Sequence, residues 1–455
     1  MKSLKYMEVY HEIKNLIQQG TYQAHQKIPS KRKLAQTLNM SPLTIEAAYE
    51  QLIAEGYLYS MEKKGYFVSK QVEMIVGKGI KEYPTIHDLE HEASDDDHMS
   101  FLTNVVDTSL FPNATWAKLS REVISENHHE MYNHTPNQGL RELREEIAKY
   151  LSLYRGINVH AERIIIGSGS TSLIGMIVEL LGRKKHYAME SPGFKKIEQL
   201  FKANDVKLSY INLDQEGLNI HELMNIKPDV IHLTPSHQFP TGMVMPISRR
   251  IEILNWATSQ NAYIIEDDYD SEFRFSGKPI PALQGVDQND RVIYMNTFTK
   301  SLAPSFRMSY MVLPKHLMIS YRELSSYHSC TVPTFEQYVL HKFMKEGYFE
   351  RHIHRMSQRY REKLEKIITI ISAYPNLKIH GFETGLHFLL EIHTDEAEVR
   401  LIDRLKAHKI NLSLLDSKSK NLYPYPTLVI GYSGIPLESI ENHMKQLIDV
   451  IFKKK

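Results

Sequence analysis

Apolar side chains recur every three to four positions at the start of the chain, which is the repeat of a helix with one buried face. They fall at positions 6, 9, 10, 13, 16 and 17. A second helix is predicted over residues 31–38, with Ser30 as its N-cap. A third helix is predicted to open at Ser41-Pro42, where the serine caps the helix and the proline takes its first position.

Two short runs of alternating apolar and polar residues follow, at 57–60 and 66–68, on either side of Lys63-Lys64-Gly65. This pattern predicts a β-hairpin. Three helices and a hairpin form a winged helix-turn-helix, in which the third helix enters the major groove and the hairpin lysines contact phosphate. A three-helix interaction module with a solvated basic face is the alternative interpretation.

Beyond residue 99, strand-like apolar runs alternate with helical repeats. The runs lie at 163–166, 230–233, 263–265 and 292–295, and the helical repeats between and around them include 139–151, 172–181 and 249–259. Alternation of this kind predicts an α/β body built around a mostly parallel sheet.

The charge is informative only when it is divided by segment. The 455 residues carry 55 Lys and Arg against 54 Asp and Glu, for a net charge of +1. Residues 1–70 hold ten basic and six acidic residues, whereas residues 71–100 hold two and eight. We therefore predict a DNA-binding domain at 1–70, an acidic linker at 71–98 and a body at 99–455. We expect a large lobe over about 99–310 and a small lobe over about 311–455.

Several other features limit the classes of protein that fit. A single cysteine, Cys330, excludes an internal disulfide and fits a reducing compartment. The N-terminus lacks an apolar signal core, and no stretch approaches the roughly 18 apolar residues of a membrane span. A cytoplasmic protein is expected. The 23 histidines have no acids or cysteines at a familiar metal-binding spacing, so no metal site is predicted.

Lys300 stands out chemically because it follows the apolar run at 292–295, with Arg307 seven residues later. Asp267 and Tyr269 end another apolar run, at 263–265. Open α/β sheets bind ligands at the carboxyl ends of their strands. A lysine for a Schiff base, a carboxylate for a pyridine nitrogen and an arginine for a phosphate suit pyridoxal phosphate (PLP).

The first domain resembles the DNA-binding domain of the GntR family. The strings that carry the resemblance are Pro29–Ala35, Ser41–Ile45 and Glu55-Gly56-Tyr57. The family usually has an arginine after the serine that opens the recognition helix, whereas Pro42 stands here. With the basic pattern, the resemblance implies that DNA is contacted by Lys31, Arg32, Lys33, Ser41, Thr44, Lys63 and Lys64.

The body resembles the fold-type I, class I aminotransferases from about residue 99 to the end. The carriers are Tyr132 with Gly139–Arg144, Gly167–Thr171, Glu190–Phe194, Thr234-Pro235 with Pro240–Gly242, Asp267–Tyr269, and Thr297–Lys300 with Arg307.

This second resemblance implies a role for each candidate residue. Lys300 would form the Schiff base with PLP, Asp267 would contact the pyridine nitrogen, and Tyr269 would bind the ring oxygen. Phe194 would stack on the ring. The phosphate would be held by Ser170, Thr171, Thr297 and Arg307, with Tyr132 reaching the phosphate of a neighbouring subunit in a homodimer.

The union of the two domains resembles the MocR/GabR family of transcription regulators, through Thr234–Gly242 and Glu266–Phe273. The resemblance implies an effector sensed through the cofactor. Two features depart from the aminotransferases: Phe239 replaces a common asparagine, and residues 427–432 lack the arginine that grips a carboxylate. The effector is expected to be an amino acid, an amine or PLP itself, with Lys196 or Arg355 as alternative carboxylate contacts. A working aminotransferase with an accessory DNA-binding domain is the alternative function.

Overall fold

The computed structural model describes residues 5–70, 99–126, 129–275, 281–416 and 421–453. The chain divides into two compact units, Met1–Asp95 and Asp96–Lys455. The predicted acidic linker, 71–98, lies outside the described residues, so its assignment stays a prediction. Among the described residues, no helix combines the length and the apolar character needed to cross a membrane.

The first unit is a three-helix domain with a hairpin, as the sequence predicts. Its elements are α1 (Lys5–Gln18), α2 (Lys31–Leu38), α3 (Pro42–Ala54), β1 (Leu58–Met61) and β2 (Gly65–Val68). Ser30 Oγ accepts from the backbone N–H of Lys33 at 3.3 Å, and Ser41 Oγ accepts from that of Thr44 at 3.2 Å. Both predicted N-caps are therefore present, and each satisfies a free donor of the first helical turn.

The turn between α2 and α3 depends on one backbone conformation. Asn39 ends α2 with φ at +50°, in the left-handed region that asparagine tolerates better than most residues. The reversal lets α2 and α3 share a core with α1, in which Ile45, Ala48 and Leu52 are fully buried. Burial of this α3 face leaves the opposite face of the helix at the surface.

The second unit contains a large eight-stranded sheet in the order β4-β11-β10-β9-β8-β5-β6-β7. Its strands are β4 (Ile164–Gly167), β5 (His186–Ser191), β6 (Lys207–Asp214), β7 (Gly217–Leu218), β8 (Val230–Leu233), β9 (Tyr263–Asp267), β10 (Val292–Thr297) and β11 (Ser309–Val312). All pairings are parallel except those of β11 and β7. The central strands read as continuous apolar runs because helices cover both faces of such a sheet.

Twelve helices surround the sheets in the described part of this unit. They are α4 (Asn113–Glu126), α5 (Arg141–Arg155), α6 (Gly169–Leu181), α7 (Lys195–Ala203), α8 (Ile220–Ile226), α9 (Ile247–Gln260), α10 (Leu283–Val286), α11 (Leu317–Leu324), α12 (Thr334–Lys345), α13 (Tyr348–Ile371), α14 (Glu398–Ala407) and α15 (Ile440–Phe452). One predicted boundary was wrong: α6 begins three residues before position 172, so Ser170 and Thr171 lie inside its first turn.

The small lobe is built on a four-stranded antiparallel sheet in the order β12-β13-β16-β15. Its remaining strands include a separate parallel pair, β3 with β14. The bounds are β3 (Met99–Ser100), β12 (Leu377–His380), β13 (His387–Ile392), β14 (Ile410–Asn411), β15 (Ser413–Leu414) and β16 (Thr427–Gly431).

The predicted division of the body near residue 310 does not follow the packing. Phe101 and Val106 belong to the small-lobe core, although the prediction placed them in the large lobe. Conversely, β11 pairs within the large sheet, and Leu340 and Phe343 of α12 pack in a large-lobe core. Chain order alone could not reveal this exchange, because the first residues of the body return to pair with a distant strand.

The carboxyl ends of six parallel strands meet at one edge of the large sheet. β4, β5, β6, β8, β9 and β10 run in the same direction, and the antiparallel β11 starts at that edge, with Ser309 opposite Thr297. This edge is where an open α/β sheet binds its ligand.

Candidate functional site

Lys300 lies three residues beyond the end of β10, at the ligand-binding edge. Its side chain is partly buried, and its Nζ donates a hydrogen bond to the carbonyl oxygen of Thr103. Burial lowers the pKa of the Lys300 amine to about 8, against the opposing effect of the Asp270 charge. A lower pKa provides more neutral amine near neutral pH, which is the form that attacks a carbonyl carbon.

Asp267 is the last residue of β9 and is buried beside the end of β10. Its Oδ2 lies 3.5 Å from Nε2 of His232. The carboxylate therefore sits at the edge where a ring nitrogen of a bound cofactor would need a negative partner. Lys300 and Asp267, predicted separately from the sequence, come from neighbouring strands.

Tyr269 follows the same strand and is held by its hydroxyl. The Tyr269 hydroxyl donates to the carbonyl oxygen of His237 at 3.2 Å and lies 3.1 Å from His237 Nδ1. That nitrogen also lies 2.9 Å from Asp270 Oδ2. Burial raises the pKa of Tyr269 well above its ordinary value, so the phenol stays protonated and available as a donor.

Asp268, between these two residues, has a structural partner instead. Arg155 binds it with Nε–Oδ2 at 2.7 Å and Nη2–Oδ1 at 3.0 Å, and Tyr294 donates to it at 2.6 Å. Arg155 could not be identified from the sequence, because nothing in the helical repeat of α5 distinguishes its last arginine from a surface residue. Of the two adjacent acids, only Asp267 is left for a ligand at the sheet edge.

The first turn of α6 and Arg307 together form a concave anion-binding surface. Gly169 has φ at +81°, and a Cβ on it would lie 3.3 Å from a guanidinium nitrogen of Arg307. Ser170 and Thr171 follow in the same turn, where backbone N–H groups and the helix dipole favour an anion. Within the described ranges, the Arg307 guanidinium has no hydrogen-bond or ion-pair partner.

Thr297 completes the phosphate candidates at the end of β10. Its Oγ1 lies 2.7 Å from Thr299 Oγ1 and accepts from the Thr299 backbone N–H at 3.2 Å. The hydroxyl is thus fixed on the same edge as Arg307. Tyr132 differs from the rest: it ends a short 3-10 helix and is 80% exposed, so this single chain does not bring it to the other site residues.

Aromatic rings form one wall near the site. Phe194 lies edge-to-face with Phe239, with ring centroids 4.7 Å apart. Phe239 also lies 5.2 Å from the His387 ring and 6.2 Å from the Tyr269 ring. The position where aminotransferases commonly carry an asparagine is therefore apolar and packed among rings, with no donor for a ring oxygen.

The fold assembles a histidine cluster that the sequence spacing did not indicate. One ligand-type atom each from His237, Asp270 and His387 lies within 4.8 Å of the other two, and all three residues are buried. His237 Nδ1 is bonded to Asp270, and His387 Nε2 lies 3.1 Å from the carbonyl oxygen of Pro240. These hydrogen bonds account for one ring nitrogen of each histidine as part of a polar network behind Tyr269.

Strand β16 is the strand that would carry the carboxylate-binding arginine common in aminotransferases. All five residues of β16 are buried, and none of them is an arginine. Arg404 is committed to Glu396 at 2.7 Å and to the carbonyl oxygens of Val450 and Ile451. The alternative cations, Lys196 and Arg355, are exposed on α7 and α13.

The predicted DNA contacts of the first unit differ in how far other side chains already hold them. Lys31 is bonded to Glu46 Oε1, and its Nζ lies 5.5 Å from the centroid of the Tyr66 ring. Arg32, Lys33, Lys63 and Lys64 are exposed, the last two at the tip of the hairpin. Ser41 and Thr44 share a hydrogen bond of 2.8 Å at the start of α3.

The domain content of the chain matches two known families. Residues 97–418 match the family described as aminotransferase class I and II, and residues 5–68 match the bacterial regulatory proteins of the gntR family. The HTH-type transcriptional regulator YdeL of Bacillus subtilis is 35% identical over 445 residues, which cover 97% of this chain and 96% of its own. The probable rhizopine catabolism regulatory protein MocR of Rhizobium meliloti is 27% identical over 454 residues, or 97% and 92% of the two chains.

The chain belongs to the MocR-type family of transcriptional regulators. Its body has the aminotransferase fold: the multiple substrate aminotransferase of Thermococcus profundus superposes with a TM-score of 0.70 at 22% identity. That likeness covers 82% of this chain and 95% of the aminotransferase. The predicted winged helix-turn-helix and fold-type I body are both confirmed.

The class I and II aminotransferase fold is PLP-dependent, and the residues of this MocR-type chain fit that cofactor. A partly buried lysine of lowered pKa, a buried carboxylate and an arginine beside a helix N-terminus lie at one sheet edge. These groups match the aldehyde, the pyridine nitrogen and the phosphate of PLP in chemical type.

Proposed function

We propose that this chain is a DNA-binding transcriptional regulator that binds PLP through Lys300 and senses an amine, an amino acid or PLP itself at that site. The observation that carries the proposal is the position of Lys300, Asp267 and Arg307 at one edge of the large sheet. Three groups whose chemistry complements that of PLP, drawn from three parts of the sequence, lie at that edge and support the proposal.

When bound, PLP supplies an aldehyde that reacts with primary amines and a ring that withdraws electrons. Lys300 provides the amine, and its lowered pKa makes the neutral form accessible near pH 8. Asp267 would hold a proton on the ring nitrogen by its negative charge, and Tyr269 would donate to the ring oxygen. Arg307, Ser170, Thr171 and Thr297 would bind the phosphate, while Phe194 would pack on the ring.

An amine or amino acid effector would enter the space next to Lys300 and Phe239. The aromatic wall of Phe194, Phe239 and His387 favours an apolar group there over a second charged group. Because β16 carries no arginine and Arg404 is already paired, a carboxylate would gain little at its usual position. Regulation through occupancy of the site therefore fits these residues better than efficient amino transfer.

The first unit supplies DNA binding through α3 and the hairpin. Arg32, Lys33, Lys63 and Lys64 offer exposed positive charge, and Thr44 lies in the first turn of the recognition helix. A homodimer is part of the proposal, because the exposed Tyr132 needs a second subunit to reach a phosphate.

The experiment combines spectroscopy with DNA binding in the full chain. Purified protein is incubated with PLP, and we expect a visible absorption band that Lys300→Ala abolishes and Lys315→Ala, an exposed lysine, retains. Binding to the DNA upstream of its own gene is then titrated with amines and amino acids. The sensing part of the proposal fails if DNA affinity is the same with and without PLP and every ligand that perturbs the band.

An active aminotransferase with an accessory DNA-binding domain is the second candidate. Lys300, Asp267 and Tyr269 favour it because all three are present in the enzyme pattern. Sustained conversion of an amino acid and a keto acid by the purified protein, lost in Lys300→Ala, would establish it in place of the sensor.

A further inference from the structure

A cavity of about 590 Å³ lies in the body beside the polar network of Tyr269, since His237 and Asp270 are among its lining residues. Its lining comes from five parts of the chain: the end of α5, residues 236–250, residues 270–274, helix α13 and Thr384. None of the residues assigned to PLP lines it. The volume lies within the range of small-molecule binding sites, roughly 300–1,000 Å³.

Positive charge predominates in this cavity, which we call the arginine cavity. Five arginines line it, and only three carboxyl groups do, those of Asp270, Glu272 and Glu350. The arginines are Arg155, Arg250, Arg274, Arg351 and Arg361. Asp270 is already bonded to His237, and burial raises the pKa of Glu272 to about 7, which further reduces the negative charge near neutral pH.

The arginines of the cavity differ in whether a carboxylate of the protein is bonded to them. Arg155 has its ion pair with Asp268. Arg250 is fully buried, yet its three hydrogen bonds go to backbone carbonyl oxygens at 2.7–3.0 Å and not to a carboxylate. The charges of Glu266 and Asp268 act on Arg250 without bonding it, so a further anion in the cavity would compensate this buried cation.

Several polar atoms of the lining residues also lack partners among the described residues. They include Arg274 Nε, Glu272 Oε2 and Thr384 Oγ1, all of them buried atoms. Thr384 is 5% exposed, so its hydroxyl has little access to solvent from outside. Buried donors and acceptors are nearly always paired in folded proteins, so a concentration of unpaired ones around one cavity points to a polar ligand.

Aromatic surface completes the lining. Tyr150 and Tyr154 stand one helical turn apart on α5, with ring centroids 4.9 Å apart. Binding sites for small organic molecules combine such apolar walls with a few charged groups that fix orientation. An inorganic ion alone would make no use of the aromatic surface that these rings present to the cavity.

We propose that the arginine cavity binds a small organic anion through its carboxylate or phosphate group, at a site separate from that of PLP. Guanidinium groups recognise both kinds of anion with paired hydrogen bonds. Arg274 and Arg361 are the principal contacts, because within the described residues neither is committed to a carboxylate. This inference does not depend on the proposed use of Lys300.

Isothermal titration of the full chain, at constant ionic strength in chloride, tests the site with inorganic phosphate and with succinate as probes. Because Arg307 is itself expected to bind phosphate, the titrations are made in Arg307→Gln protein. We expect saturable binding of at least one probe, weakened about tenfold or more by Arg274→Gln and by Arg361→Gln. The probe that binds more tightly identifies the anionic group.

Arg359→Gln is the matched control, since Arg359 is exposed on the same helix and paired with Glu362 outside the cavity. It should leave both titrations unchanged. Arg361 is also exposed, so its variant should fold even if the change at Arg274 disturbs packing. The proposal is overturned if neither probe binds saturably, or if Arg361→Gln binds the probes as Arg359→Gln does.

Discussion

Arg155 and Asp268 form a two-point ion pair in the body, with donor–acceptor distances of 2.7 and 3.0 Å and both side chains buried. The pair joins the end of α5 to the loop after β9. It also separates the roles of neighbouring acids, since Asp268 maintains the fold while Asp267 faces the ligand edge.

Asp268→Ala should destabilise the body strongly, because it leaves the Arg155 guanidinium buried and unpaired. Breaking a buried pair in this way costs about 3–5 kcal/mol. Urea unfolding followed by circular dichroism measures the loss. Asp267→Ala should cost clearly less while it lowers retention of PLP; equal losses of stability from the two variants would contradict the assignment.

Arg307→Gln should weaken the binding of PLP by about ten- to one-hundredfold, since charge-assisted hydrogen bonds contribute about 1.5–3 kcal/mol. Binding of pyridoxal, which lacks the phosphate, should hardly change. Fluorescence titration of both compounds provides the comparison, and Arg322→Gln, an exposed arginine on α11, is the control. A similar loss for pyridoxal would assign Arg307 to another role.

The rate at which Lys300 captures PLP should depend on pH through the lowered pKa of its amine. Only the neutral amine reacts, so with a pKa of about 8 the rate should rise about tenfold per pH unit up to pH 8 and level off above pH 9. Stopped-flow absorbance measures it. N-acetyl-lysine, whose rate keeps rising toward pH 10, is the reference amine. If the rate for the protein follows the same pH profile as the rate for this reference, the pKa of Lys300 is not lowered.

Arg32→Gln and Lys33→Gln should each weaken DNA binding and reduce its dependence on salt. One lost phosphate contact lowers the slope of log affinity against log salt by about 0.9. Lys31→Gln should have a smaller effect, because Lys31 is held by Glu46. Fluorescence anisotropy at several salt concentrations measures all three, and an equal change for Lys31 would mean that its ion pair opens on DNA.

Glu272 should make the body less stable as the pH rises from about 4.5 to 7. Burial raises the pKa of Glu272 to about 7 from its ordinary value of 4.5, so the folded state holds the proton more tightly than the unfolded chain. The stabilisation is complete below pH 4.5 and is lost by pH 7. Glu272→Gln should flatten this part of the stability profile, measured by urea unfolding, relative to the exposed control Glu362→Gln.

The local elements were largely predictable from the sequence. Ser30 and Ser41 are predictable as N-caps because a serine hydroxyl directly before a helical repeat can accept from an N–H group of the first turn. The run at 230–233 coincides with β8, since a fully buried parallel strand is apolar on both faces. Lys300 and Asp267 are predictable as site residues because each follows an apolar run, and open α/β sheets bind ligands at the carboxyl ends of such strands.

The contacts that join distant segments were not predictable. His237 and His387 lie 150 positions apart in sequence, and only the packing of β13 against the loop after β8 brings their rings within 4.6 Å. Arg155 and Asp268 likewise come from different layers of the fold. The arginine cavity has five contributing segments, so no local pattern of residues could indicate it.

The hydrogen bond from Lys300 to Thr103 links the candidate site to the first segment of the body. Thr103 lies three residues past β3, at the start of the body. The bond therefore joins a segment whose Phe101 packs in the small-lobe core to the ligand-binding edge of the large sheet.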